Sequence, residues 1–134
     1  MTSPSHEVIT LQSESDVVIA RKTVKEWSVK LGFSLVEQTK LITAASELAR
    51  NAIVYGKGGA MTAEIVQKGV KQGLRLTFED SGPGIPDIEL AFKDGYTSGT
   101  GLGLGLGGAR RLVDEFEILS EVGKGTRVTV TRWK

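Results

Sequence analysis

Six of the ten residues from position 99 to 108 are glycine, in the sequence GTGLGLGLGG. Leucine occupies every second position in the middle of this run, which is the alternation typical of a strand. Each glycine nonetheless weakens a helix or strand interior by about 0.5–1 kcal/mol. Together the six glycines lower the free energy of unfolding by about 3–6 kcal/mol, whereas the total for a typical domain is about 5–15 kcal/mol. We therefore expect a bound ligand, rather than contacts within the folded chain, to compensate for the stability that these glycines cost.

Glycine-rich loops bind phosphate because their amide N–H groups can close around the oxygens when no Cβ intervenes. Gly103, Gly105 and Gly108 satisfy the G-x-G-x-x-G pattern of dinucleotide-binding folds. That pattern requires an apolar strand directly before it and an acid about 20 residues after it. Here the polar segment AFKDGYTS precedes the run, and the residues near 125 to 130 are not acidic. A Walker A loop requires lysine and then Ser or Thr after its last glycine, whereas Gly108 precedes Ala109. The run predicts a phosphate-binding segment of a different kind.

Charge and composition exclude several functions. Lys and Arg number 17 against 16 Asp and Glu, so no electrostatic footprint for nucleic acid or an anionic membrane is expected. The absence of cysteine excludes disulfides, thiolate metal sites and a cysteine nucleophile. The single histidine, His6, lies in the polar lead, which argues against a transition-metal site. An ion with oxygen ligands, such as Mg²⁺, remains compatible with the sequence. With neither a membrane span nor a signal peptide in the sequence, we expect a cytoplasmic protein.

Apolar spacing and capping residues predict the order β-α-α-β-β-α-β-β. The predicted elements are a strand near 7–13, a helix ending at Gly32, a long helix from about 35 to 55, strands at 60–67 and 74–80, a helix that begins in the glycine run and continues through GARRLVDEF, and two strands joined at 123–125. The long helix is predicted to begin at a capping box of Ser34 and Glu37 and to end before Gly56. Its predicted apolar stripe is Leu41, Ala45, Leu48 and Ala52. This order favours an α/β two-layer sandwich, with a mainly antiparallel mixed sheet covered on one face by about three helices. Residues 1–134 are expected to form one domain, with 1–6 as a disordered lead.

Two further motifs carry polar side chains suited to a nucleotide. In SELARN, Glu47 and Asn51 share a face of the long helix, where the carboxylate can accept a proton and the amide oxygen can bind Mg²⁺. In FEDSGPGI, Asp80 ends a buried strand and can accept a hydrogen bond from the amine of adenine, where guanine presents an oxygen. Taken singly, a solvated helix face and a turn-capping aspartate explain the same residues.

Taken together and in order, SELARN, EDSGPGI and TGLGLGL resemble the N, G1 and G2 boxes of the GHKL ATP-binding superfamily. This superfamily includes gyrase, Hsp90, histidine kinases and MutL. The resemblance spans residues 40 to 130 through its motifs. TAASELARN, EDSGPGIPD, GLGLGLGGARRLVDEF and GKGTRVTVTRW are more narrowly similar to stand-alone serine kinases of the anti-sigma-factor type, and among these to the switch-protein kinases of the bacterial stressosome.

This resemblance implies the Bergerat ATP-binding fold and a protein serine/threonine kinase of a bacterial stress response that uses ATP and Mg²⁺. It implies STAS-domain substrates, namely the stressosome scaffold and antagonist. It also implies activation of a PP2C-type phosphatase once the kinase is released from these proteins. No nucleic-acid or membrane partner is expected.

The resemblance also assigns roles to the positions that match the family motifs. Glu47 would be the general base, Asn51 the Mg²⁺ ligand and Asp80 the residue that recognises adenine. The other matched positions would line the nucleotide: Gly84 beside the base, Gly101, Gly103 and Gly105 at the phosphates, and Thr126 near adenine through water. An ordinary hairpin turn explains GKGT nearly as well as a role of Thr126 at the adenine site. The glycine run would then act as a lid hinge and phosphate clamp ordered by ATP.

Two alternatives belong to other functional classes. One is a binding module that uses ATP as a conformational signal and sequesters a partner without transferring phosphate. Glu47 argues against it, because binding alone requires no base. The other is an ATPase with water as acceptor. Against it, we expect no second domain with the lysine that gyrase-like ATPases use to complete the site.

Overall fold

The computed structural model describes residues 6–87 and 106–134. Its strands are β1 (His6–Leu11), β2 (Gly59–Lys68), β3 (Lys71–Asp80), β4 (Glu115–Glu121) and β5 (Gly125–Trp133), and its helices are α1 (Glu14–Lys30), α2 (Leu35–Val54) and α3 (Leu106–Arg111). Within these two ranges, the predicted order of elements is confirmed. His6, which was expected to belong to a disordered lead, instead opens β1 one residue before the predicted strand, and its side chain is exposed.

The five strands form one sheet in the order β1-β2-β3-β5-β4. Every neighbouring pair in the described ranges is antiparallel, so the mixed sheet that was expected is here a purely antiparallel one. Because β5 inserts between β3 and β4, the last residue of β3 pairs with the second residue of β5. These two residues are Asp80 and Thr126. The sheet order thus joins two motifs that are far apart in the chain.

The helices cover one face of the sheet. Strand side chains alternate between the two faces, and those that point toward the helices are apolar and buried. The strand residues of this core include Met61, Ala63, Leu74, Leu76, Phe78, Val128 and Val130. The opposite face carries a polar groove lined by Thr62, Glu64, Arg75, Thr77, Glu79, Glu115, Glu117, Arg127, Thr129 and Thr131. The predicted two-layer sandwich is confirmed.

Helix α2 begins at the predicted capping box. The Glu37 N–H donates to Ser34 Oγ at 3.1 Å, and the Ser34 N–H donates to Glu37 Oε1 at 3.1 Å. This reciprocal pair satisfies two N–H groups that the first helical turn leaves without intrahelical partners. The predicted apolar stripe, Leu41, Ala45, Leu48 and Ala52, is buried.

Helix α3 is shorter than predicted. The expected helix through GARRLVDEF is wrong, because α3 ends at Arg111 and the chain enters β4 at Glu115. The Asp114 N–H donates to the Thr131 carbonyl at 2.9 Å, and Arg132 Nη1 donates to the Leu112 carbonyl at 3.1 Å. Pairing with β5 therefore overrides the local helical pattern.

Candidate functional site

A cavity lies between α2 and the ends of β3 and β5. It is lined by Leu48, Asn51, Ala52, Tyr55, Phe78, Asp80, Ile85, Leu106, Thr126 and Val128. Most of these side chains are apolar, while three predicted site residues, Asn51, Asp80 and Thr126, contribute polar groups. Apolar walls with a few fixed polar groups are typical of sites for small molecules and cofactors. The structure thus brings together three residues from three separate motifs.

Asp80 is a half-buried carboxylate at the end of β3. Burial raises the pKa of Asp80 above its usual value, although the backbone N–H groups of Gly82 and Thr126 act in the opposite direction. The Gly82 N–H donates to Asp80 Oδ1 at 3.0 Å. A carboxylate that has lost part of its hydration gains from an additional hydrogen-bond donor. An exocyclic amine supplies such a donor.

Gly56 and Gly82 make room for this carboxylate. A Cβ added to Gly56 would overlap the side chain of Asp80, and one added to Gly82 would lie 2.6 Å from Gly56 Cα. The end of α2 and the loop after β3 therefore meet at a separation that only glycine permits. The sequence predicts only a helix end at Gly56 and a turn at Gly82, so the part of these two glycines in the site was missed. Their position next to the two motifs was the available signal.

Gly84 has a backbone that requires glycine. Its φ is +78°, and an added Cβ would overlap the carbonyl oxygen of Glu121. The close neighbour of Gly84 is thus the β4–β5 hairpin, while Ile85 beside it lines the cavity. The approach of a base to Gly84 stays a prediction.

Thr126 belongs to a small network of polar groups at the cavity wall. Its Oγ1 lies 2.8 Å from Ser120 Oγ, which also accepts a hydrogen bond from the Ile85 N–H at 2.7 Å. Ser120 was not identified from the sequence, because a serine within a strand carries no motif. Its pairing with Thr126 across β4 and β5 could have revealed it only once the register was known.

Glu47 lies one helical turn before Asn51 and outside the cavity lining. Its side chain is 42% exposed, and Oε1 lies 3.8 Å from Arg50 Nη1. Arg50 Nη2 in turn contacts Glu14 Oε1 at 3.2 Å. A carboxylate that is partly open to solvent near the cavity is accessible to a hydroxyl that arrives from outside.

The remaining predicted positions, Gly101, Gly103 and Gly105, lie outside the described residues. Across residues 6–87 and 106–134, no cluster of three or more His, Asp or Glu side chains is placed to hold a metal ion. Over the same ranges, no helix combines the length and apolar character needed to cross a membrane.

Comparison with known proteins shows the family to which this chain belongs. Residues 36–134 match the family of histidine kinase-, DNA gyrase B- and HSP90-like ATPases. The match covers well over half of the chain, and the chain belongs to this family. The predicted superfamily is therefore confirmed, and the cavity lies within the matched region.

Two individual relatives are similar to this chain over nearly its whole length. The serine/threonine-protein kinase RsbT of Bacillus subtilis is 42% identical over 126 residues, which are 93% of this chain and 94% of the relative. The anti-sigma F factor of Geobacillus kaustophilus is 34% identical over 136 residues, which cover 96% of this chain and 90% of the relative. The predicted enzyme class, a protein serine/threonine kinase, agrees with the first of these.

Solved structures agree with the fold. A crystal structure of the RsbU and RsbW domains of a Mycobacterium tuberculosis protein has a TM-score of 0.69 at 23% identity, covering 98% of this chain and 33% of that one. This chain thus spans about a third of that protein. The catalytic domain of the histidine kinase ThkA has a TM-score of 0.54 at 18% identity, covering 94% of this chain and 95% of that one.

Proposed function

We propose that this chain is an ATP-dependent protein serine/threonine kinase of a bacterial partner-switching module. The observation that carries the proposal is the meeting of Asp80, Thr126 and Asn51 in one apolar-walled cavity, one helical turn from Glu47. The 42% identity to a serine/threonine-protein kinase over nearly the whole chain supports the same conclusion. The proposed unit of function is the whole chain, as a single domain.

The cavity favours adenine over guanine. Asp80 is a hydrogen-bond acceptor that is desolvated in part, and adenine offers it an amine where guanine offers an oxygen. The side chains of Phe78, Ile85 and Val128 form apolar walls on which a flat ring can pack. Together these groups recognise both the shape and the polar edge of the base.

Asn51 would supply a protein oxygen to Mg²⁺. This ion is commonly held by one or two protein groups together with phosphate oxygens and water, so a single amide in the cavity suits it. When bound, Mg²⁺ neutralises the charge on the phosphates during transfer. Gly101, Gly103 and Gly105 would line the phosphates through their N–H groups, as the family resemblance implies.

Glu47 would accept the proton of the attacking hydroxyl. Its carboxylate is exposed enough to meet a side chain of another protein, and Arg50 restrains it at 3.8 Å. A general base of this kind is worth about 10²- to 10⁴-fold in rate. A binding module without transfer is not favoured, because it requires no such base and RsbT is named a kinase.

The proposed substrates are STAS-domain proteins, namely a stressosome scaffold and antagonist, and the proposed target after release is a PP2C-type phosphatase. Similarity both to a serine/threonine-protein kinase and to anti-sigma F factors supports a module in which the kinase changes partners. The proposed compartment is the cytoplasm, which suits a cysteine-free enzyme that consumes ATP.

Phosphate transfer with labelled ATP, Mg²⁺ and a candidate STAS protein tests this proposal. We expect label on a Ser or Thr of the partner with the wild type, and a loss of about 10²-fold or more with Glu47→Gln. Glu47→Gln should bind ADP within several-fold of the wild type. Glu26→Gln, an exposed carboxylate on α1, is the matched control and should transfer normally.

Three outcomes would count against the proposal. Efficient transfer by folded Glu47→Gln would contradict the assigned base while leaving the nucleotide site in place. Phosphate release at one rate with or without the partner would indicate an ATPase. Partner capture with no labelled product would indicate a sequestering module.

A further inference from the structure

The loop after β3 is held against the β4–β5 hairpin by two hydrogen bonds. The Gly123 N–H donates to the Pro83 carbonyl at 2.8 Å, and the Ile85 N–H donates to Ser120 Oγ at 2.7 Å. Ile85 lines the cavity, so Ser120 fixes the backbone that supports one of the cavity walls.

Ser120 also contacts Thr126, the polar residue that lies next to Asp80 across the strand pair. The two hydroxyl oxygens are 2.8 Å apart, and Ser120 Oγ lies 3.3 Å from the Gly125 carbonyl. Because Ser120 has one hydroxyl proton, it can donate either to Thr126 or to Gly125. Its oxygen accepts from Ile85 in both arrangements.

The arrangement of these hydrogen bonds determines whether the Thr126 hydroxyl can donate to a ligand in the cavity or can only accept from it. When Ser120 donates to Gly125, Thr126 donates to Ser120 and presents only lone pairs to a ligand. When Ser120 donates to Thr126, the hydroxyl proton of Thr126 is free to point toward a ligand. Adenine carries a ring nitrogen acceptor near its amine, and that nitrogen requires a donor, directly or through water, when the amine meets Asp80.

We propose that Ser120 is a positioning residue that helps to determine the specificity of the nucleotide site. It anchors the backbone at Ile85 and orients the hydroxyl of Thr126 as a donor toward a ring nitrogen of adenine. The proposal rests on the proposed function, because it requires adenine in the cavity. Ser120 does not line the cavity and acts through these two neighbours.

Calorimetric titration with ADP and Mg²⁺ is the first test. Ser120→Ala leaves the Ile85 N–H without its partner and releases Thr126, so we expect affinity to fall about tenfold. Ser120→Thr keeps the hydroxyl in a strand that tolerates a β-branched residue, and it should restore affinity to near the wild-type value. Ser28→Ala is the matched control, because it removes a buried hydroxyl that donates to Val24 in α1, and it should bind ADP normally.

The second test uses 1-deaza-ADP and 7-deaza-ADP, each of which lacks one ring nitrogen. If Ser120 acts through Thr126, the loss caused by Ser120→Ala should shrink to about twofold or less with one of these analogues. An equal loss with ADP and both analogues would overturn the assigned role of Thr126 as donor. Unchanged ADP affinity in Ser120→Ala would overturn the role of Ser120 while leaving the proposed function intact. A wild-type chain that does not bind ADP would overturn both.

Discussion

Gly56 lies where the end of α2 meets the carboxylate of Asp80, and a methyl group there would overlap that carboxylate. We expect Gly56→Ala to displace Asp80 and to weaken ADP binding about tenfold or more, since the acceptor would no longer be correctly placed. Calorimetry would measure the loss, and circular dichroism would verify the fold. Gly69→Asn is the control, because it occupies a left-handed turn position (φ +62°) in open space that asparagine tolerates. Equal effects of the two substitutions would contradict this role for Gly56.

The titration of Asp80 predicts how nucleotide binding depends on pH. Burial raises the pKa of Asp80 above its usual 3.8, so the carboxylate is protonated at a higher pH than an exposed aspartate. Protonation removes the acceptor for the adenine amine, and we expect ADP affinity to fall as the pH is lowered toward that raised pKa. The raised pKa has the opposite effect on folding, because this group's contribution to stability is present at low pH and is lost as the pH rises through the folded pKa.

Dissociation constants for ADP measured across the acid range would show this dependence. Asp80→Asn, which does not titrate, should bind ADP weakly at every pH and should lack the pH-dependent step. The same step in the variant would assign the titration to another group.

At the scale of elements, the capping box of α2 is expected to contribute measurably to stability. The Ser34 N–H lowers the pKa of Glu37 below its usual 4.5, assisted by the charge of Arg132 and opposed by burial. The stability that ionised Glu37 contributes is present above pH 4.5 and is lost as the pH falls through the pKa of Glu37 in the folded state. Ser34→Ala should lower the free energy of unfolding by about 1 kcal/mol at neutral pH.

Urea unfolding at pH 7 and in the acid range would measure both effects. Glu37→Gln should remove the part of the pH dependence that belongs to this cap. Thr43→Ala, at an exposed position of the same helix, should change stability by no more than about 0.5 kcal/mol. If Ser34→Ala and Thr43→Ala had the same free energy of unfolding, the expected contribution of the capping box to stability would be contradicted.

The bounds of α2 could be predicted because its signals are local: Ser34 with Glu37 at one end and Gly56 at the other. The end of α3 could not, since its determinant is long-range. The stretch from Leu112 to Phe116 keeps a helical pattern. The bond from the Asp114 N–H to the Thr131 carbonyl and the pairing of Glu115 and Phe116 with β5 draw the end of this stretch into the sheet. Boundaries set within one element follow from sequence, whereas those set by strand pairing require the fold.

At the scale of the whole molecule, the site depends on the order of strands. Asn51, Asp80 and Thr126 could be proposed from motifs, and the insertion of β5 beside β3 explains why they meet. Ser120 could not be proposed, because its hydroxyl becomes relevant only when the register of β4 and β5 places it against Thr126. The role of Gly56 in the site could not be predicted either, since it arises from contact with Asp80, 24 positions later in the chain. Groups that support a site leave less trace in sequence than groups that bind the ligand.

A ligand that compensates for the glycine run should stabilise the entire chain. ATP and Mg²⁺ at about a thousandfold excess over the dissociation constant would add about 4 kcal/mol to the free energy of unfolding. For a domain of this size, that corresponds to a rise in Tm on the order of 10 °C. Thermal denaturation followed by circular dichroism would measure it, with GTP and Mg²⁺ as the control nucleotide and Asp80→Asn as the control variant. Both controls should show little change in Tm, because each removes the pairing between an amine and the half-buried carboxylate of Asp80. An equal rise with GTP would contradict recognition of adenine by Asp80, and no rise with either nucleotide would contradict the nucleotide site itself.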